Sequence, residues 1–449
     1  MIRPSRQTRR AFLGSVTGAA AIAAGAHVRA MSRSEGEPGF QARKGANDRI
    51  QIALIGAGGM GVEDTKTALT IDGVKLVAAC DLYDGRLERA RKLWGSEIFT
   101  SRDYREVLAR KDVDAVVIGT PDHWHQRISV DAMDAGKAAY CEKPMVQQFG
   151  EGDAVIAAQR RNKAVFEVGS QGMSSLGNEK ARELLASGAI GVLNYAEGFW
   201  ARNSPVGAWQ YAVPLDASEQ TVDFDRFLGS APKRPFDPIR FFRWRNYRDY
   251  GTGVSGDLFV HLFSSLHFIT NSLGPTAIIA SGGLRYWKDG RDAPDVMLGM
   301  FEYPEIPEHP PFNLSLRVNF VDGTSGSTYL RLVGSEGAMD VTWDDVTLRQ
   351  NRKWDPTRAV QKEFRHDPEP AGRKEMLAST TVFKVEQEYK GAHFDHLGNF
   401  FSAIRGGKPV VEDAVFGYRA AAPALACNQS YYEKHAVRWD PVNMKVPNG

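Results

Sequence analysis

A glycine-rich turn that directly follows a short apolar run is the feature that most constrains the fold. The run IQIALI (residues 50–55) precedes Gly56-x-Gly58-x-x-Gly61, and a helix-like pattern then continues to Leu69. A strand, a glycine turn and a helix in this order are typical of a dinucleotide site, where glycines permit a tight turn and the close approach of a pyrophosphate. The alternative is a glycine-rich turn in an α/β fold without a cofactor. We predict a phosphate-binding turn made of Gly56, Gly58, Gly59, Met60 and Gly61.

The next apolar strand ends in Asp81, twenty residues after Gly61. A carboxylate at this position accepts hydrogen bonds from the hydroxyls of an adenosine ribose. It also repels a 2′-phosphate, and no basic residue follows it immediately. We therefore expect NAD as the cofactor, and Arg86 and Arg89 on the following helix keep NADP as the alternative.

Further apolar runs alternate with helical patterns up to about residue 170. Residues 113–118 and 138–141 are typical of buried parallel strands, so residues 49–170 are predicted to form a doubly wound Rossmann sheet. Ligands of such sheets bind at the carboxyl ends of the strands. Pro144 disfavours the helical region for Lys143, which leaves this lysine extended at a strand end. We expect one cofactor crevice lined by Thr120, Pro121, His123, His125, Glu142 and Lys143.

The pattern changes after Gln171. Alternating or mixed apolar strands, separated by glycine and aspartate turns, replace the regular succession of strands and helices, and amphipathic helices follow near the C-terminus. Residues 171–440 are therefore predicted to form a C-terminal α+β domain. It contains one large, mostly antiparallel sheet with helices on one face.

Asp257 and His261 are four residues apart in an apolar helical pattern, so they share a helix face. A carboxylate one turn from an imidazole can orient the ring and raise its basicity, as acid–base catalysis requires. The alternative is a capping aspartate and a buried structural histidine. Flat indole faces and guanidinium groups nearby suit a sugar. We predict substrate contacts from Trp200, Arg243 and Trp244, with an aromatic core and a solvated arginine as the alternative.

The N-terminus has the pattern of an export signal. Arg9-Arg10-x-Phe12-Leu13 resembles the bacterial twin-arginine motif, and a mild apolar run then leads to a small-residue cleavage position after Ala30. We predict a signal peptide at residues 1–30, a polar linker at 31–48 and a periplasmic protein that is exported folded. The short run, rich in Ala and Gly, argues against a permanent membrane span. The alternative is a chance arginine pair on a disordered tail.

Composition excludes several classes of function. The net charge is +2, but five arginines and no acid lie in the first thirty residues, so the remainder is slightly acidic and gives no electrostatic case for nucleic acid. Three scattered cysteines are too few for a disulfide framework or a zinc site, and we expect them to be buried. His123 and His125 lack a third ligand at a suitable spacing, so no metal site is predicted.

Taken together, the motifs GAGGMG, CD, GTPDHWH, CEKPM and G-x-x-x-D-x-x-x-H occur in this order along the chain. In this ordered set the chain from residue 50 to about 440 resembles the Gfo/Idh/MocA family, named after glucose-fructose oxidoreductase and inositol dehydrogenase. The resemblance implies that Lys143 lies beside the nicotinamide and the substrate, and that Asp257 and His261 contribute substrate binding and the acid–base group. It also implies a homo-oligomer formed through the C-terminal sheet.

The function that the resemblance implies is hydride transfer between a nicotinamide cofactor and a hydroxyl of a sugar or polyol. The sequence departs from the usual family pattern at two places, so the family does not identify the substrate. GTG replaces a triple glycine before Asp257, and Gln171 is followed by Gly-Met. The family also contains NAD-dependent glycosidases that use the same lysine and histidine, and these are the alternative. A non-catalytic cofactor-binding protein is the second alternative. Because free NAD is scarce in the periplasm, we expect the cofactor to be tightly bound.

Overall fold

The computed structural model describes residues 26–31, 49–324, 328–351 and 379–447. The predicted twin-arginine motif and nearly all of the predicted linker lie outside the described residues. Of the predicted signal peptide, only residues 26–30 are described. Together with Met31 they form strand β1 (Ala26–Met31).

Six parallel strands form the first sheet, in the order β4-β3-β2-β5-β6-β7. The central strands are apolar and buried, as expected of a parallel sheet covered by helices on both faces. The strands are β2 (Ile50–Ile55), β3 (Val74–Cys80), β4 (Phe99–Ser101), β5 (Ala115–Ile118), β6 (Ala138–Glu142) and β7 (Phe166–Gly169). The helices between them are α1 (Gly59–Ala68), α2 (Asp84–Trp94), α3 (Tyr104–Leu108), α4 (His125–Asp134) and α5 (Glu151–Asn162). Because the strand order reverses beside β2, a crevice opens there at the carboxyl ends.

Ten strands form the second sheet, in the order β1-β15-β14-β13-β12-β8-β11-β10-β9-β16. The pairs β1–β15 and β8–β11 are parallel and the other pairs are antiparallel. Its further strands are β8 (Leu193–Ala201), β9 (Ala277–Gly283), β10 (Val296–Tyr303), β11 (Phe312–Asn319), β12 (Thr328–Gly334), β13 (Gly337–Val341), β14 (Asp345–Gln350), β15 (Ser379–Val385) and β16 (Val437–Arg438). The prediction of a parallel Rossmann sheet plus a large, mostly antiparallel sheet is confirmed.

Helices cover one face of this second sheet. Along β10, Met297, Phe301 and Tyr303 are buried, whereas Leu298 and Met300 are exposed on the outer face. The helices of the C-terminal part of the chain are α6 (Leu176–Ala186), α7 (Phe224–Leu228), α8 (Pro238–Phe242), α9 (Val260–Thr270), α10 (Ala392–Ile404) and α11 (Ala414–Glu433), and not all of them pack on this sheet. A π-helical turn at Ser255–Phe259 runs directly into α9. No helix among the described residues is long and apolar enough to cross a membrane.

Helix α10 belongs to the C-terminal part of the chain but packs on the N-terminal sheet. Leu397, Phe400 and Phe401 lie in the same apolar cluster as Ile50 and Leu54 of β2. The two sheets are therefore joined by a shared core as well as by the chain. The crevice at the carboxyl ends of the parallel strands lies on this joined body.

Glu412 offers a test of the core beneath these helices. It is fully buried, its Oε1 accepts a hydrogen bond of 3.1 Å from Ser264 Oγ, and its Oε2 has no partner. Burial raises the pKa of Glu412 to about 8, against the opposing hydroxyls of Ser170 and Ser264. Because folding raises this pKa, the favourable contribution of the protonated form is lost as the pH rises from about 4.3 toward 8.

We therefore expect Glu412→Gln to stabilise the protein at alkaline pH. At pH 8.5 the free energy of unfolding in urea should exceed that of the wild type by roughly 2 kcal/mol, and the difference should shrink toward pH 5. Glu433→Gln, on the exposed end of α11, is the control and should show no such pH-dependent gain. An equal effect of Glu412→Gln at both pH values would contradict this explanation.

Candidate active site

A cavity of about 670 Å³ lies between the carboxyl ends of the parallel strands and residues 200–261 of the C-terminal part. It is the crevice that the sequence predicted at the switch in strand order. Its lining from the N-terminal sheet includes Gly56, Gly58, Gly59, Met60, Asp81, Thr120, Pro121, Glu142 and Lys143. Its lining from the rest of the chain includes Gln171, Trp200, Arg202, Trp209, Trp244, Arg245, Asp257, His261, Trp343 and His393.

The glycine turn fits a pyrophosphate. Gly56 has φ +93°, and a Cβ there would lie 2.6 Å from the backbone of Gly119, so only glycine fits. Gly58 and Gly59 face open space at the start of α1, where free backbone N–H groups point into the cavity. Gly61 does not line the cavity. A Cβ on Gly61 would lie 2.2 Å from the Gly56 oxygen, so this glycine allows helix and strand to pack closely.

Asp81 stands at the end of β3 and lines the same cavity. Its Oδ1 accepts a hydrogen bond from the backbone N–H of Tyr83 at 3.0 Å and one from Arg86 at 3.4 Å. The Arg86 guanidinium in turn lies 5.5 Å from the ring centre of Phe241 and 5.4 Å from that of Phe242. A carboxylate held this way is available to ribose hydroxyls at the adenosine end of the crevice.

The two histidines of the His-Trp-His stretch differ from our expectation, because neither ring lines the cavity. His123 Nε2 lies 2.8 Å from the Phe227 oxygen, and burial lowers the pKa of His123 to about 4. His125 Nδ1 lies 2.7 Å from the Pro144 oxygen and its Nε2 lies 2.9 Å from the Thr120 oxygen. Backbone carbonyls thus occupy both imidazoles. His125 braces the two loops that carry Thr120 and Lys143, whereas His123 holds the backbone of Phe227 and Tyr250.

Lys143 reaches across the cavity wall to the C-terminal part. Its peptide bond to Pro144 is cis. Its Nζ donates to the backbone oxygen of Asp257 at 2.7 Å and to Oδ1 of the same residue at 3.0 Å. Arg245 Nε donates to that Oδ1 as well, at 3.2 Å. Lys143 and Asp257 form an almost fully buried ion pair, with side chains about 10% and 8% exposed.

His261 lies one turn beyond Asp257, between two indole rings. It stacks on Trp200 at 5.1 Å between ring centres and meets the edge of Trp343 at 5.9 Å. Its Nδ1 is buried and has no hydrogen-bond partner. Burial and the charge of Lys143 lower the pKa of His261 well below its usual value, against the attraction of Asp257. The ring is therefore neutral at physiological pH and able to accept a proton.

The contact that we expected between Asp257 and His261 is absent from the hydrogen bonds of the described residues. Asp257 sits in the π-helical turn that precedes α9, and its carboxylate is occupied by Lys143 and Arg245. Burial alone would raise the pKa of Asp257, but the charges of Lys143, Arg245 and Arg202 outweigh it and hold the pKa far below its usual range. Asp257 thus acts on the lysine directly, and on His261 only through its charge.

Of the three predicted substrate contacts, Trp200 and Trp244 line the cavity and Arg243 does not. Arg243 Nε donates to the Tyr211 oxygen at 2.8 Å and NH1 donates to Gln210 Oε1 at 2.6 Å. The Arg243 guanidinium is therefore occupied by hydrogen bonds to the loop that contains Gln210 and Tyr211. Its neighbour Arg245 faces the cavity in its place.

The adenosine end of the cavity is covered by residues 213–250, here called the cover segment. Tyr83, at the start of α2, donates through its hydroxyl to Asp216 Oδ1 at 2.6 Å and forms a β-bridge with Val222. Arg102 pairs with Asp84 and also donates to the Gln220 oxygen. An apolar cluster joins the segment to Tyr83, and its members from the segment include Val222, Phe224, Phe227, Phe241, Phe242 and Tyr250. The cover segment is therefore anchored on the N-terminal sheet at several points.

Residues 50–170 match the family described as an oxidoreductase family with an NAD-binding Rossmann fold, Gfo/Idh/MocA. This part of the chain is therefore similar in sequence to the Gfo/Idh/MocA family. Inositol 2-dehydrogenase from Salmonella paratyphi B is 29% identical over 144 residues, which are 32% of this chain and 43% of that protein. Alpha-N-acetylgalactosaminidase from Shewanella oneidensis is 31% identical over 122 residues, 25% of this chain and 27% of that protein. The matched region spans less than half the length of either relative.

A solved structure resembles the chain beyond the Gfo/Idh/MocA region. The WlbA dehydrogenase from Bordetella pertussis, in complex with NADH and UDP-GlcNAcA, superposes with a TM-score of 0.64 at 15% identity. The similarity covers 87% of this chain and 98% of that chain. The two-sheet fold is therefore shared as a whole.

Trp343 and His393 are among the cavity residues that were not predicted from the sequence. Trp343 comes from the turn between β13 and β14, more than eighty residues beyond His261. His393 lies further along the chain, at the start of α10. No local motif marks either position. Among the described residues, no group of three or more His, Cys, Asp or Glu side chains is placed to hold a metal ion. The three cysteines are buried and free, as expected.

Proposed function

We propose that this protein is an NAD(P)-dependent oxidoreductase that transfers a hydride between a nicotinamide cofactor and a hydroxyl of a sugar or polyol. The observation that carries the proposal is the convergence of Lys143, Asp257 and His261 on the wall of the cavity into which the glycine turn opens. The match of residues 50–170 to an NAD-binding oxidoreductase family supports it. The inositol 2-dehydrogenase and the NADH-containing WlbA structure support the same class of chemistry.

The three side chains divide the proton and charge chemistry. His261 is neutral because of its burial, so it can take the hydroxyl proton at the ring nitrogen that faces the cavity. Lys143 supplies a positive charge beside the alkoxide that develops on the substrate oxygen. Asp257 fixes the lysine by two contacts and balances its charge. When bound, the nicotinamide supplies the hydride acceptor or donor.

The remaining lining suits a carbohydrate. Trp200, Trp244 and Trp343 line the cavity with indole rings, whose flat apolar faces suit the C–H faces of a sugar ring. Arg202 and Arg245 add guanidinium groups that can bond hydroxyls, and Arg245 is already oriented by Asp257. We propose a sugar or polyol substrate on the strength of this lining.

A glycosidase that oxidises its substrate transiently is the second candidate. The similarity to alpha-N-acetylgalactosaminidase favours it, and the same lysine and histidine would serve its oxidation step. A non-catalytic cofactor-binding protein is disfavoured, because the complete Lys143–Asp257–His261 set would then have no use.

One experiment separates these candidates. The purified protein is denatured, the released dinucleotide is identified, and the native protein is screened against myo-inositol, free sugars and nitrophenyl glycosides. Accumulation of NADH with a free polyol or sugar is the result expected from a dehydrogenase. Release of nitrophenol without net NADH would replace it with the glycosidase. A bound dinucleotide with neither reaction would leave only the binding protein.

We propose that the cofactor is tightly held, because the cover segment closes the adenosine end. The wild type should therefore retain its dinucleotide through gel filtration. Asp216→Ala removes the acceptor of the Tyr83 hydroxyl and should increase the dissociation rate of NAD about tenfold, measured by fluorescence. Asp225→Ala is the control, since Asp225 lies in the same segment but makes no hydrogen bond or ion pair with α2 among the described residues. Equal retention in both variants would contradict anchoring through Tyr83.

Asp81 should set the preference for NAD over NADP. Its carboxylate would face a 2′-phosphate directly, so we expect Asp81→Ser to shift the ratio of kcat/KM for NADP to that for NAD by roughly tenfold toward NADP. Arg86, freed of the carboxylate, would favour the added phosphate, and Arg89 lines the same cavity. Asp72→Ser, beyond the opposite end of the sheet, should leave the ratio unchanged. A wild type that already prefers NADP would overturn the assignment.

Two further expectations from the sequence stay proposals. We propose a homo-oligomer through the outer face of the second sheet, where Leu298 and Met300 are 49% and 60% exposed. Light scattering of the wild type and of Met300→Glu tests this. We propose export to the periplasm by the twin-arginine route, and N-terminal sequencing of the periplasmic protein tests both export and cleavage after Ala30.

A further inference from the structure

Asp64, on helix α1, has a buried carboxyl group. The binding of a pyrophosphate does not require a carboxyl group at this position. Asp64 lies three residues beyond Gly61 and has no exposed surface. Its Oδ1 is 2.8 Å from Nε2 of His393, and its Oδ2 has no hydrogen-bond partner. A buried carboxylate with an unpaired oxygen is unfavourable unless it holds a proton. Burial raises the pKa of Asp64 well above its usual value, against the Gln171 side chain.

Glu142 is a second buried carboxyl, in the cavity wall and directly before Lys143. Gln171 Nε2 donates to its Oε1 at 2.6 Å. Since the same amide also acts on Asp64, Gln171 lies against both carboxyls. Burial and the charge of Asp64 raise the pKa of Glu142 to about 8, against the charge of Lys143. Because the pKa of Glu142 is about 8 and that of Asp64 is also raised, the pair holds at least one proton at neutral pH.

His393 connects this pair with the outside. It is the second residue of α10, and its side chain is 27% exposed. Its Nδ1 lies 3.4 Å from Thr67 Oγ1 and its Nε2 faces Asp64. Burial lowers the pKa of His393, against the charges of Glu142 and Glu63, so the neutral ring can accept a proton on one nitrogen and release one from the other.

Charged and titratable groups face the carboxyl pair from every element packed against it. They are Glu63 on α1, His125 on α4, Tyr140 on β6, Lys143 after β6 and His393 on α10. Both ends of this row, Lys143 and His393, line the cavity, and His393 is the more exposed of the two. The two groups between them are carboxyls, which can accept or release a proton.

We propose that Glu142, Asp64 and His393 form a proton path between the Lys143 side of the active site and solvent. The proposal rests on the dehydrogenase function proposed above. For each hydroxyl oxidised, the proton that His261 gives up enters at Glu142, the proton of Asp64 passes to His393 Nε2, and His393 releases its Nδ1 proton to water. Transfer from Glu142 to Asp64 then restores both carboxyls, and His393 is restored when its Nε2 proton is exchanged for an Nδ1 proton through water. One proton enters and one leaves, and reduction runs the path in reverse.

The shared proton is tested without substrate. Infrared spectra of the full-length protein at pH 7 should contain the C=O band of a protonated carboxyl. This band should be lost or shifted in Asp64→Asn and in Glu142→Gln, and retained in Glu63→Gln, the exposed neighbour on α1. A spectrum unchanged by either buried substitution would overturn the proposal. This result does not depend on turnover, so it stands apart from any failure of the dehydrogenase function.

The path itself is tested with myo-inositol and NAD. In His393→Ala we expect kcat to fall at least about tenfold, the solvent isotope effect on kcat to increase, and added imidazole to restore much of the rate. His435→Ala, an exposed histidine paired with Glu433, is the control and should change none of these. An unchanged kcat, or a loss that neither imidazole nor deuterated solvent affects, would overturn the path. If the wild type oxidises no polyol, the dehydrogenase proposal fails, and the infrared result alone then decides whether the pair holds a proton.

Discussion

Replacement of Lys143 by methionine is expected to lower kcat by about a thousandfold while a dinucleotide still binds. The ammonium is the one positive group that joins the end of β6 to Asp257, and it stands where charge develops on the substrate oxygen. Removal of a single preorganised donor at such a position costs on the order of 10²–10³ in kcat, and a full charge in a buried site costs more than a neutral donor. The measurement is a comparison of kcat with the Kd for NAD by titration.

The control for this change is Lys137→Met. Lys137 lies just before the amino end of β6 and donates to the Arg110 oxygen, far from the cavity. Loss of Lys143 also leaves Asp257 with Arg245 as its remaining charged hydrogen-bond partner among the described residues, so thermal unfolding of both variants is recorded beside the kinetics. A Lys143→Met protein that is folded, binds NAD and turns over at the wild-type rate would remove the lysine from the mechanism.

Replacement of His261 by asparagine is the second large effect. Loss of a positioned general base lowers kcat by roughly 10²–10⁴. The wild-type profile carries a further expectation, because burial and Lys143 hold the pKa of His261 well below 6.5. Protonation would disable the base only at pH values below that lowered pKa, so kcat should stay level as the pH falls through 6.5. The measurement is a pH profile of kcat for both proteins.

His267→Gln is the matched control on the same helix. His267 Nε2 lies 2.9 Å from the Tyr303 hydroxyl, and glutamine can keep one such bond, so its kcat should stay near that of the wild type. A decline of the wild-type rate centred on pH 6.5 would show that His261 titrates as an exposed histidine. The explanation based on its burial between Trp200 and Trp343 would then be wrong.

Local sequence rules were sufficient for the first sheet. The run at residues 50–55 and the turn after it have one low-energy arrangement, because Gly56 and Gly61 each meet backbone atoms that leave no room for a side chain. The sequence predicted the mostly antiparallel type of the second sheet, but it did not predict the order of the strands. The parallel pair of β8 with β11 joins strands more than a hundred residues apart, and nothing in either strand specifies its partner.

The site was predicted less completely, for three physical reasons. A regular helix would aim Asp257 at His261, but the π-helical turn and two nearby cations direct the carboxylate to Lys143 instead. His123 and His125 sit at the predicted strand end, yet periodicity does not reveal that carbonyls hold their rings. His393 belongs to a helix whose position on the N-terminal sheet is set by tertiary packing alone.

The return of helix α10 to the first sheet has a consequence for biosynthesis. Leu397, Phe400 and Phe401 complete the apolar layer over β2, so the sheet made first by the ribosome lacks part of its cover until residue 401 has been translated. At ordinary elongation rates this delay is on the order of tens of seconds. During that interval the nascent chain exposes an unfinished hydrophobic surface to the chaperones around the exit tunnel.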